Sequence, residues 1–164
     1  MPNVVRAYHD SLSERCERNP DRWIGEYRPL VAESRAQVAE LIKAEPSDVV
    51  MVENASTGVN TILRHLEPPL AAGDKVLFLS CAYGMTQSVL RFLEQSAGIE
   101  LVMVDLVPTG FASSDAVIEA VEAKVAEHGG PSAFAMGVIS HLSSVPACVL
   151  PVARFCAALS GVPV

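Results

Sequence analysis

The sequence is poor in positive charge, and this limits the partners that the protein can have. Its 164 residues include 12 lysines and arginines against 19 aspartates and glutamates, which gives a formal net charge of −7. No basic cluster in the sequence offsets this excess. Because an acidic surface repels nucleic-acid backbones and anionic lipid headgroups, we expect no nucleic acid and no membrane among the partners.

Long apolar runs and targeting patterns are also lacking. No stretch approaches the roughly 20 apolar residues that span a bilayer. The polar residues 1–19 contain no apolar core of a secretory signal. The sequence is 50% hydrophobic and 19% charged, which is the balance of a globular protein, and its length allows one domain with a real core.

Paired metal-binding cysteines are absent as well. The four cysteines, Cys16, Cys81, Cys148 and Cys156, form no C-x-x-C pair and have no histidine at ligand spacing. A zinc site is therefore not expected. The last three have apolar neighbours, which indicates small buried thiols in a reducing compartment, so we expect a cytoplasmic location.

Three common ligand-binding and catalytic loops are missing from the sequence. It contains no G-x-G-x-x-G, no G-x-x-x-x-G-K-[ST] and no G-x-S-x-G segment. Dinucleotide sites, nucleoside-triphosphate sites and hydrolases with a serine nucleophile therefore lose their usual sequence support.

What the sequence does contain is an alternation of apolar runs and amphipathic segments. The apolar runs predict strands at residues 49–52, 75–79, 99–106 and 133–140, and the start of another at 161–164. Helical spacing predicts helices at residues 57–66, 84–95, 114–128 and 151–159, and a further helix that begins at Pro29. This order favours an α/β fold with a mostly parallel sheet and helices packed on it.

The segment at the start of the helix at residues 57–66 carries groups suited to an anion. Ser56 and Thr57 offer hydroxyl donors, and Gly58 lets a ligand approach the backbone closely. A helix N-terminus has unpaired N–H groups and a dipole that favours negative charge. The alternative is ordinary N-capping by Ser56 or Thr57, which explains the hydroxyls without any ligand, and spacing alone favours that alternative.

Two later loops follow predicted strands, where ligands bind in parallel sheets. Tyr83 offers a ring that can stack on a flat heterocycle, although a tyrosine that packs on its neighbours is the commoner case. His141, with Ser143 and Ser144, offers an acid–base or hydrogen-bonding group, and the alternative is a satisfied histidine in a polar loop. Together the three loops indicate a site for a phosphorylated aromatic cofactor.

The order and spacing of six segments add a family resemblance. They are residues 34–39, 52–60, 73–77, 82–84, 140–144 and 149–152. In these segments the chain resembles the class V aminotransferases, in the branch of isopenicillin N epimerase-like proteins and cysteine desulfurases. The resemblance runs from about residue 20 to residue 164, and Asn-Ala-Ser-Thr-Gly-Val-Asn at residues 54–60 is its most specific part.

This resemblance implies the large α/β domain of pyridoxal 5'-phosphate (PLP) enzymes of the aspartate-aminotransferase type, with helices on both faces of the sheet. Ser56, Thr57 and Gly58 would hold the cofactor phosphate, and Tyr83 would stack on the pyridine ring. Ser144 would lie near the phenolic oxygen, and His141 belongs to the same motif. The resemblance also implies an amino acid or amine substrate, a reaction by transamination, epimerisation or C–S cleavage, and a homodimer.

The sequence departs from the family in two respects. Ala147 stands where the family often has glycine. The segments with the Schiff-base lysine and the pyridinium-pairing aspartate have no counterpart, because Lys43, Lys75 and Lys124 all lie outside the lysine motif. Residues 1–164 are therefore predicted to be the N-terminal part of the large domain, with residues 1–28 a poorly defined lead-in, and no catalytic residue is predicted in this chain.

Three interpretations stay open on this evidence. The chain is a fragment that supplies the cofactor cradle of a PLP enzyme, or it is a catalytically inactive truncated protein. In the third interpretation it is a non-catalytic α/β domain that binds another phosphorylated ligand.

Overall fold

The structure, a computed structural model, describes residues 1–107 and 111–164. These residues form two compact units, Met1–Val52 and Glu53–Val164. The assignment of all 164 residues to one large domain stays a prediction. Within the described residues, no helix is both long enough and apolar enough to cross a membrane.

The first unit is helical. Helix α1 (Asn3–Arg18) is followed directly by α2 (Pro20–Ile42), and a short 3₁₀ turn covers Pro46–Asp48. The residue between the two helices, Asn19, caps α2 because its side chain accepts a hydrogen bond from the Arg22 N–H at 3.0 Å.

The prediction that this helix begins at Pro29 is wrong. Pro20 already occupies the first turn behind the Asn19 cap, where a proline costs nothing because its missing N–H would be unpaired anyway. Pro29 therefore lies inside α2. There it removes the backbone hydrogen bond to the Gly25 carbonyl, and the helix continues despite that loss.

The predicted strand at residues 49–52 is also absent. These residues have no strand partner in the described chain, and only Val49 is buried, while Val50, Met51 and Val52 are exposed. An apolar run predicts burial, but a strand also needs a neighbouring backbone to pair with. As a result, the helix that begins at residue 55 does not follow a strand of a sheet.

The second unit is built on a parallel sheet. Its strands are β1 (Lys75–Leu79), β2 (Glu100–Val104) and β3 (Phe134–Val138), in the order β2-β1-β3. The helices of this unit are α3 (Ala55–Arg64), α4 (Gly84–Ala97), α5 (Ser114–Glu127) and α6 (Val152–Ala158). These elements confirm the predicted strands and helices between residues 75 and 159 to within a few residues.

Alternate residues of β1 face opposite sides of the sheet, and each side has its own core. Leu77 and Leu79 pack with buried residues of α5 and α6. Val76 and Phe78 pack with buried residues of α3 and α4. Because a strand directs successive side chains to opposite faces, the near-continuous burial of β1 shows that helices cover both faces, as the sequence predicted.

The segment after β3 forms a hairpin where the sequence predicted only a loop. Strand β4 (Leu142–Ser144) pairs antiparallel with β5 (Ala147–Val149). Their three-residue lengths are too short for an alternating pattern to stand out in the sequence. Ala147 has no positive φ, so the alanine at this position causes no backbone strain.

The predicted strand start at residues 161–164 does not form, although these residues lie beside β3. The Gly137 N–H donates to the Pro163 carbonyl at 2.8 Å. A Cβ at Gly137 would lie 2.7 Å from Leu159 Cδ1, so the leucine would have to shift, and 3.4 Å from Val164 Cγ2. The missing side chain therefore lets the end of the chain lie directly on this strand.

Candidate functional site

Helix α3 begins with an asparagine cap rather than with a hydroxyl cap. The Asn54 carboxamide accepts from the Thr57 N–H at 2.9 Å, and the Thr57 hydroxyl donates to the same oxygen at 3.3 Å. The expectation that Ser56 or Thr57 serves as the N-cap is therefore wrong. The preference of Asn for the N-cap was the signal that could have identified Asn54.

This cap leaves donors free at the α3 N-terminus. Among the described residues, the N–H groups of Ala55 and Ser56 and the Ser56 hydroxyl have no hydrogen-bond partner. The Gly58 N–H is not free, since it donates to the Asn54 carbonyl at 3.2 Å. The predicted anion cradle at residues 56–58 therefore has its spare donors at Ser56 and the residue before it.

Helices α3 and α4 run in the same direction, so their N-termini lie at the same end. The Asn60 carboxamide, in the middle of α3, contacts Met85 Sδ, in the first turn of α4, at 3.6 Å. Further along both, the Arg64 guanidinium lies over the Phe92 ring, 5.3 Å from its centroid. This parallel packing, and not a preceding strand, brings the anion cradle to the end of β1 that leads into α4.

Tyr83 lies at that same place. It is the residue before α4, and no side chain caps this helix, so the first-turn N–H groups are available to a ligand. The Tyr83 side chain is 61% exposed, and its hydroxyl has no hydrogen-bond partner among the described residues. The alternative of a tyrosine packed on its neighbours is therefore not what the structure shows.

The loop that carries Tyr83 is held by a glutamine that the sequence analysis missed. The Gln87 carboxamide donates to the Ala82 carbonyl at 2.8 Å and to the Ser80 carbonyl at 3.3 Å. The Ser80 hydroxyl in turn accepts from the Leu106 N–H at 3.0 Å. These bonds position the tyrosine backbone, and no short sequence pattern marks Gln87 for that role.

His141 and Ser144 lie on the hairpin after β3. Both side chains are exposed and have no side-chain hydrogen bond among the described residues, so His141 is not a satisfied loop histidine. Since β3 pairs parallel with β1, its carboxyl end lies at the same sheet edge as the loop with Tyr83. No hydrogen bond in the described chain joins the hairpin to the anion cradle.

The neighbouring Ser143 has a structural role instead. It is buried, its hydroxyl donates to the Pro146 carbonyl in the hairpin turn, and it contacts Cys148 Sγ at 3.0 Å. Burial raises the pKa of the Cys81 thiol, and the nearby Cys148 thiol raises it further. Both thiols pack against the same hydrophobic core cluster, so the hairpin lies near the loop that carries Tyr83.

The site therefore gathers the spare donors at the N-termini of α3 and α4 and an exposed ring at one edge of the sheet. Two helix N-termini direct their positive ends to the same region, which favours an anion there. The exposed Tyr83 ring beside them suits a flat aromatic group. Within the described residues, no group of three or more histidines, cysteines or carboxylates has the arrangement of a metal site.

Comparisons with known proteins match the sequence of the chain to one family. The sequence model of the family described as aminotransferase class-V matches residues 3–129. The chain is 36% identical over 133 residues to putative L-cysteine desulfhydrase 1 of Oryza sativa subsp. japonica, which covers 76% of this chain and 27% of that protein. It is 30% identical over 161 residues to a probable chloroplastic L-cysteine desulfhydrase of Arabidopsis thaliana, covering 92% and 33%.

A third relative differs in its named activity. The isopenicillin N epimerase of Amycolatopsis lactamdurans is 27% identical over 128 residues, covering 78% of this chain and 31% of that protein. The chain thus spans about a third of the length of the curated relatives that it matches.

Solved structures share the fold. The complex of the cystine C–S lyase C-DES with its product cysteine persulfide superposes with a TM-score of 0.82 at 21% identity, covering 96% of this chain and 40% of that chain. A variant of C-DES with glycine covalently linked to its PLP cofactor gives a TM-score of 0.81 with the same identity and coverage. At this identity the likeness establishes the fold.

Proposed function

The chain belongs to the class V aminotransferase family, and from that premise we propose that it supplies the cofactor-binding part of a PLP-dependent enzyme that cleaves a C–S bond in a cysteine-like amino acid. The family and the PLP-bound structural neighbour indicate pyridoxal phosphate as the cofactor. One observation carries the proposal for this chain: the spare donors at the α3 N-terminus lie at the same sheet edge as the exposed Tyr83 ring.

The residues present fit that cofactor. A phosphate monoester needs several donors, and Ser56 and the adjacent N–H groups at the α3 N-terminus are without protein partners. Thr57 adds a second hydroxyl, since its bond to Asn54 is long at 3.3 Å. The pyridine ring needs a flat neighbour, which Tyr83 provides.

When bound, the cofactor supplies an electron sink for charge that develops at the α-carbon of the amino acid. The residues of this chain bind and orient. The anion cradle would hold the phosphate and the Tyr83 ring would stack on the heterocycle, while Gln87 holds the loop that carries this ring. His141 and Ser144 offer an imidazole and a hydroxyl at the same edge, available to hold a proton or a polar substituent of the ring.

The choice of C–S cleavage rests on the named activities of the relatives. The rice and Arabidopsis relatives are named as cysteine desulfhydrases, and a Schizosaccharomyces pombe relative is named as a hercynylcysteine sulfoxide lyase. Transamination and epimerisation are the competing reactions of the family. Sulfide release from L-cysteine by the protein that carries this sequence would support the proposal, whereas α-hydrogen exchange without sulfide would favour epimerisation, and dependence on a 2-oxo acid would favour transamination.

Binding tests the contribution of this chain directly. We expect Tyr83→Leu to weaken PLP binding about tenfold, from the usual worth of one aromatic stacking contact. Tyr8→Leu is the matched control, because Tyr8 is similarly exposed, at 58% against 61%, and belongs to the other unit. Equal PLP binding, measured by equilibrium dialysis, in the chain and in its Tyr83→Leu variant would contradict the assignment.

The anion cradle has a control of its own. Ser56→Ala removes a hydroxyl without a partner, so PLP binding should weaken while stability stays unchanged. Ser114→Ala removes a serine from the first turn of α5 and should change neither. If both variants bind PLP as the unaltered chain does, the phosphate is held elsewhere.

A second candidate function is non-catalytic binding of a phosphorylated ligand. It is favoured by the positions of the lysines in this unit, since Lys75 begins β1 and Lys124 lies in the last turn of α5, both away from the carboxyl ends of the strands. Competition of PLP against inorganic phosphate and nucleotides, measured by equilibrium dialysis, tests it. Nucleotides or inorganic phosphate that bind as tightly as PLP would support this candidate, and a clear preference for PLP would contradict it.

The cytoplasmic location and the homodimer remain proposals. All four cysteines are free thiols, which suits a reducing compartment. The expectation that three of them are buried is wrong, because Cys156 is exposed and Cys81 and Cys148 are half-buried. Light scattering at several protein concentrations tests the dimer.

A further inference from the structure

Asn60 stands out among the residues near the candidate site, because its half-buried polar side chain lies on α3 and contacts residues of both α3 and α4. Its Nδ2 group donates to the Ser56 carbonyl at 3.0 Å and contacts Met85 Sδ at 3.6 Å. A carboxamide nitrogen carries two hydrogens, so one group serves both partners. Since a carbonyl oxygen and a thioether sulfur only accept, the orientation of the amide is fixed by its neighbours.

Simple hydroxyl groups on the same helices show what an ordinary local role looks like. Thr61 donates to the Thr57 carbonyl at 2.9 Å, and Ser88 donates to the Gly84 carbonyl at 2.9 Å. Each bond stays within one turn of one helix. Asn60 makes the same local bond but adds the only side-chain hydrogen bond between α3 and α4 in the described part of the chain.

The Asn60 side chain forms a bridge between Ser56 and Met85. The two ends of this bridge lie near the residues proposed to hold the phosphate and the ring of PLP. Ser56, at one end, belongs to the anion cradle, and Met85, at the other, lies two residues after Tyr83. We infer that Asn60 is a positioning residue that fixes the distance between the anion cradle and the stacking ring, so that one ligand engages both. This inference rests on the proposed PLP binding and adds a residue to it.

The physical reason is that two linked contacts reinforce each other only when their spacing is held. PLP joins its phosphate to its ring through a short CH₂–O linkage, which limits their separation, so a change in the relative position of α3 and α4 weakens joint binding. Inorganic phosphate needs the cradle alone, and pyridoxal, which lacks the phosphate, needs the ring site alone. Their affinities therefore do not depend on the bridge.

Two substitutions break the bridge from opposite sides. Asn60→Ser keeps a donor for the Ser56 carbonyl, in the manner of Thr61 and Ser88, but its short side chain does not reach Met85. Met85→Leu keeps an apolar side chain of similar size and removes the sulfur acceptor. We expect each to lower the affinity for PLP about fivefold, the effect of one modest hydrogen bond, while the affinities for inorganic phosphate and pyridoxal change by less than about twofold.

The double variant provides the sharper readout. If both substitutions act through the one contact, the double variant binds PLP about as well as either single variant. Additive losses of PLP affinity, a parallel loss of phosphate affinity, or unchanged PLP binding in both single variants would each overturn the inference. If Asn60→Ser fails to fold by circular dichroism, Met85→Leu still decides the question.

The unaltered chain separates this inference from its premise. Equilibrium dialysis that detects no PLP binding by the unaltered chain overturns the proposed function, and the inference with it. PLP binding by the unaltered chain together with full binding by both variants overturns the inference alone.

Discussion

The two units of the chain differ most in what they bury. Of residues 1–52, only Ala39 and Val49 are buried. In the second unit, buried residues form two clusters, one on each face of the sheet. Large apolar side chains that are exposed in the first unit include Val4, Val5, Tyr8, Ile24, Tyr27, Leu41 and Ile42.

This difference shows that secondary structure and stability come from different sources in the two units. The first unit has well-formed helices with a side-chain cap and exposed ion pairs. Arg22 pairs with Glu26 within α2, and Arg15 of α1 pairs with the same carboxylate, both at 2.6 Å. Exposed ion pairs are worth about 0–1 kcal/mol each, so they do not replace a core. The second unit has that core and also holds every residue of the candidate site.

The largest difference between the two units is expected in amide hydrogen exchange. β1 lies between two strands and is almost wholly buried, whereas α1 has no buried residue. We expect amides of β1 to exchange only on global unfolding, and amides of α1 to exchange more than about three orders of magnitude faster relative to their intrinsic rates. Equal protection in α1 and β1, measured by mass spectrometry or NMR, would show that the two units unfold together.

A pair of identical substitutions gives the next largest effect. Leu77 is fully buried in the centre of the sheet, and Leu41 is 82% exposed in α2. Leu77→Ala should lower the free energy of unfolding by about 2–5 kcal/mol, and Leu41→Ala should change it by less than about 0.5 kcal/mol. Urea unfolding followed by circular dichroism measures both, and a loss at Leu41 as large as that at Leu77 would contradict the comparison.

The same difference explains which parts of the fold could be predicted from the sequence. From residue 75 onward, strands and helices alternate with buried positions at the expected spacing, and β1 has the predicted bounds. In the first unit the helices are exposed on most sides, so no apolar stripe marks their limits, and Pro29 indicated a false start. The apolar run at residues 49–52 does not form a strand because it has no neighbouring strand to pair with in the described chain, and sequence periodicity does not reveal pairing partners.

The candidate site was predicted in its parts but not in its connections. Ser56 and Tyr83 were identified because residue type and a helix N-terminus are visible in the sequence. Asn60 and Gln87 were not, because their roles depend on contacts with residues on another helix or in the loop before Tyr83. Such contacts follow from the parallel packing of α3 on α4, which no local pattern encodes.

Two asparagine caps sharpen the comparison at a smaller scale. Asn19 caps α2 in the first unit, and Asn54 caps α3 in the second. Asn54→Ala should cost about 1 kcal/mol of global stability, the usual effect of losing a cap, and should weaken PLP binding. Asn19→Ala removes an equivalent hydrogen bond but should reduce only the helical circular dichroism. It should not change the midpoint of urea unfolding of the second unit, which contains the sheet. If Asn19→Ala lowers that midpoint as much as Asn54→Ala does, the first unit contributes to the cooperative core.

The smallest expected effect is a pH dependence confined to the first unit. Hydrogen bonds from Arg15 and then from Arg22 lower the pKa of Glu26 from its ordinary value of 4.5. A carboxyl group whose pKa is lowered by folding stabilises the folded form above its unfolded pKa, and this contribution is lost as the pH falls through the lowered value. Helical circular dichroism should therefore decline in acid more in the unaltered chain than in Glu26→Gln, which has already lost both ion pairs.

Glu17→Gln is the control, because Glu17 makes no ion pair among the described residues, and its acid titration should follow that of the unaltered chain. An acid titration of Glu26→Gln that coincides with that of the unaltered chain would show that these ion pairs do not hold α1 and α2, and would leave the Asn19 cap as the main local support of the first unit.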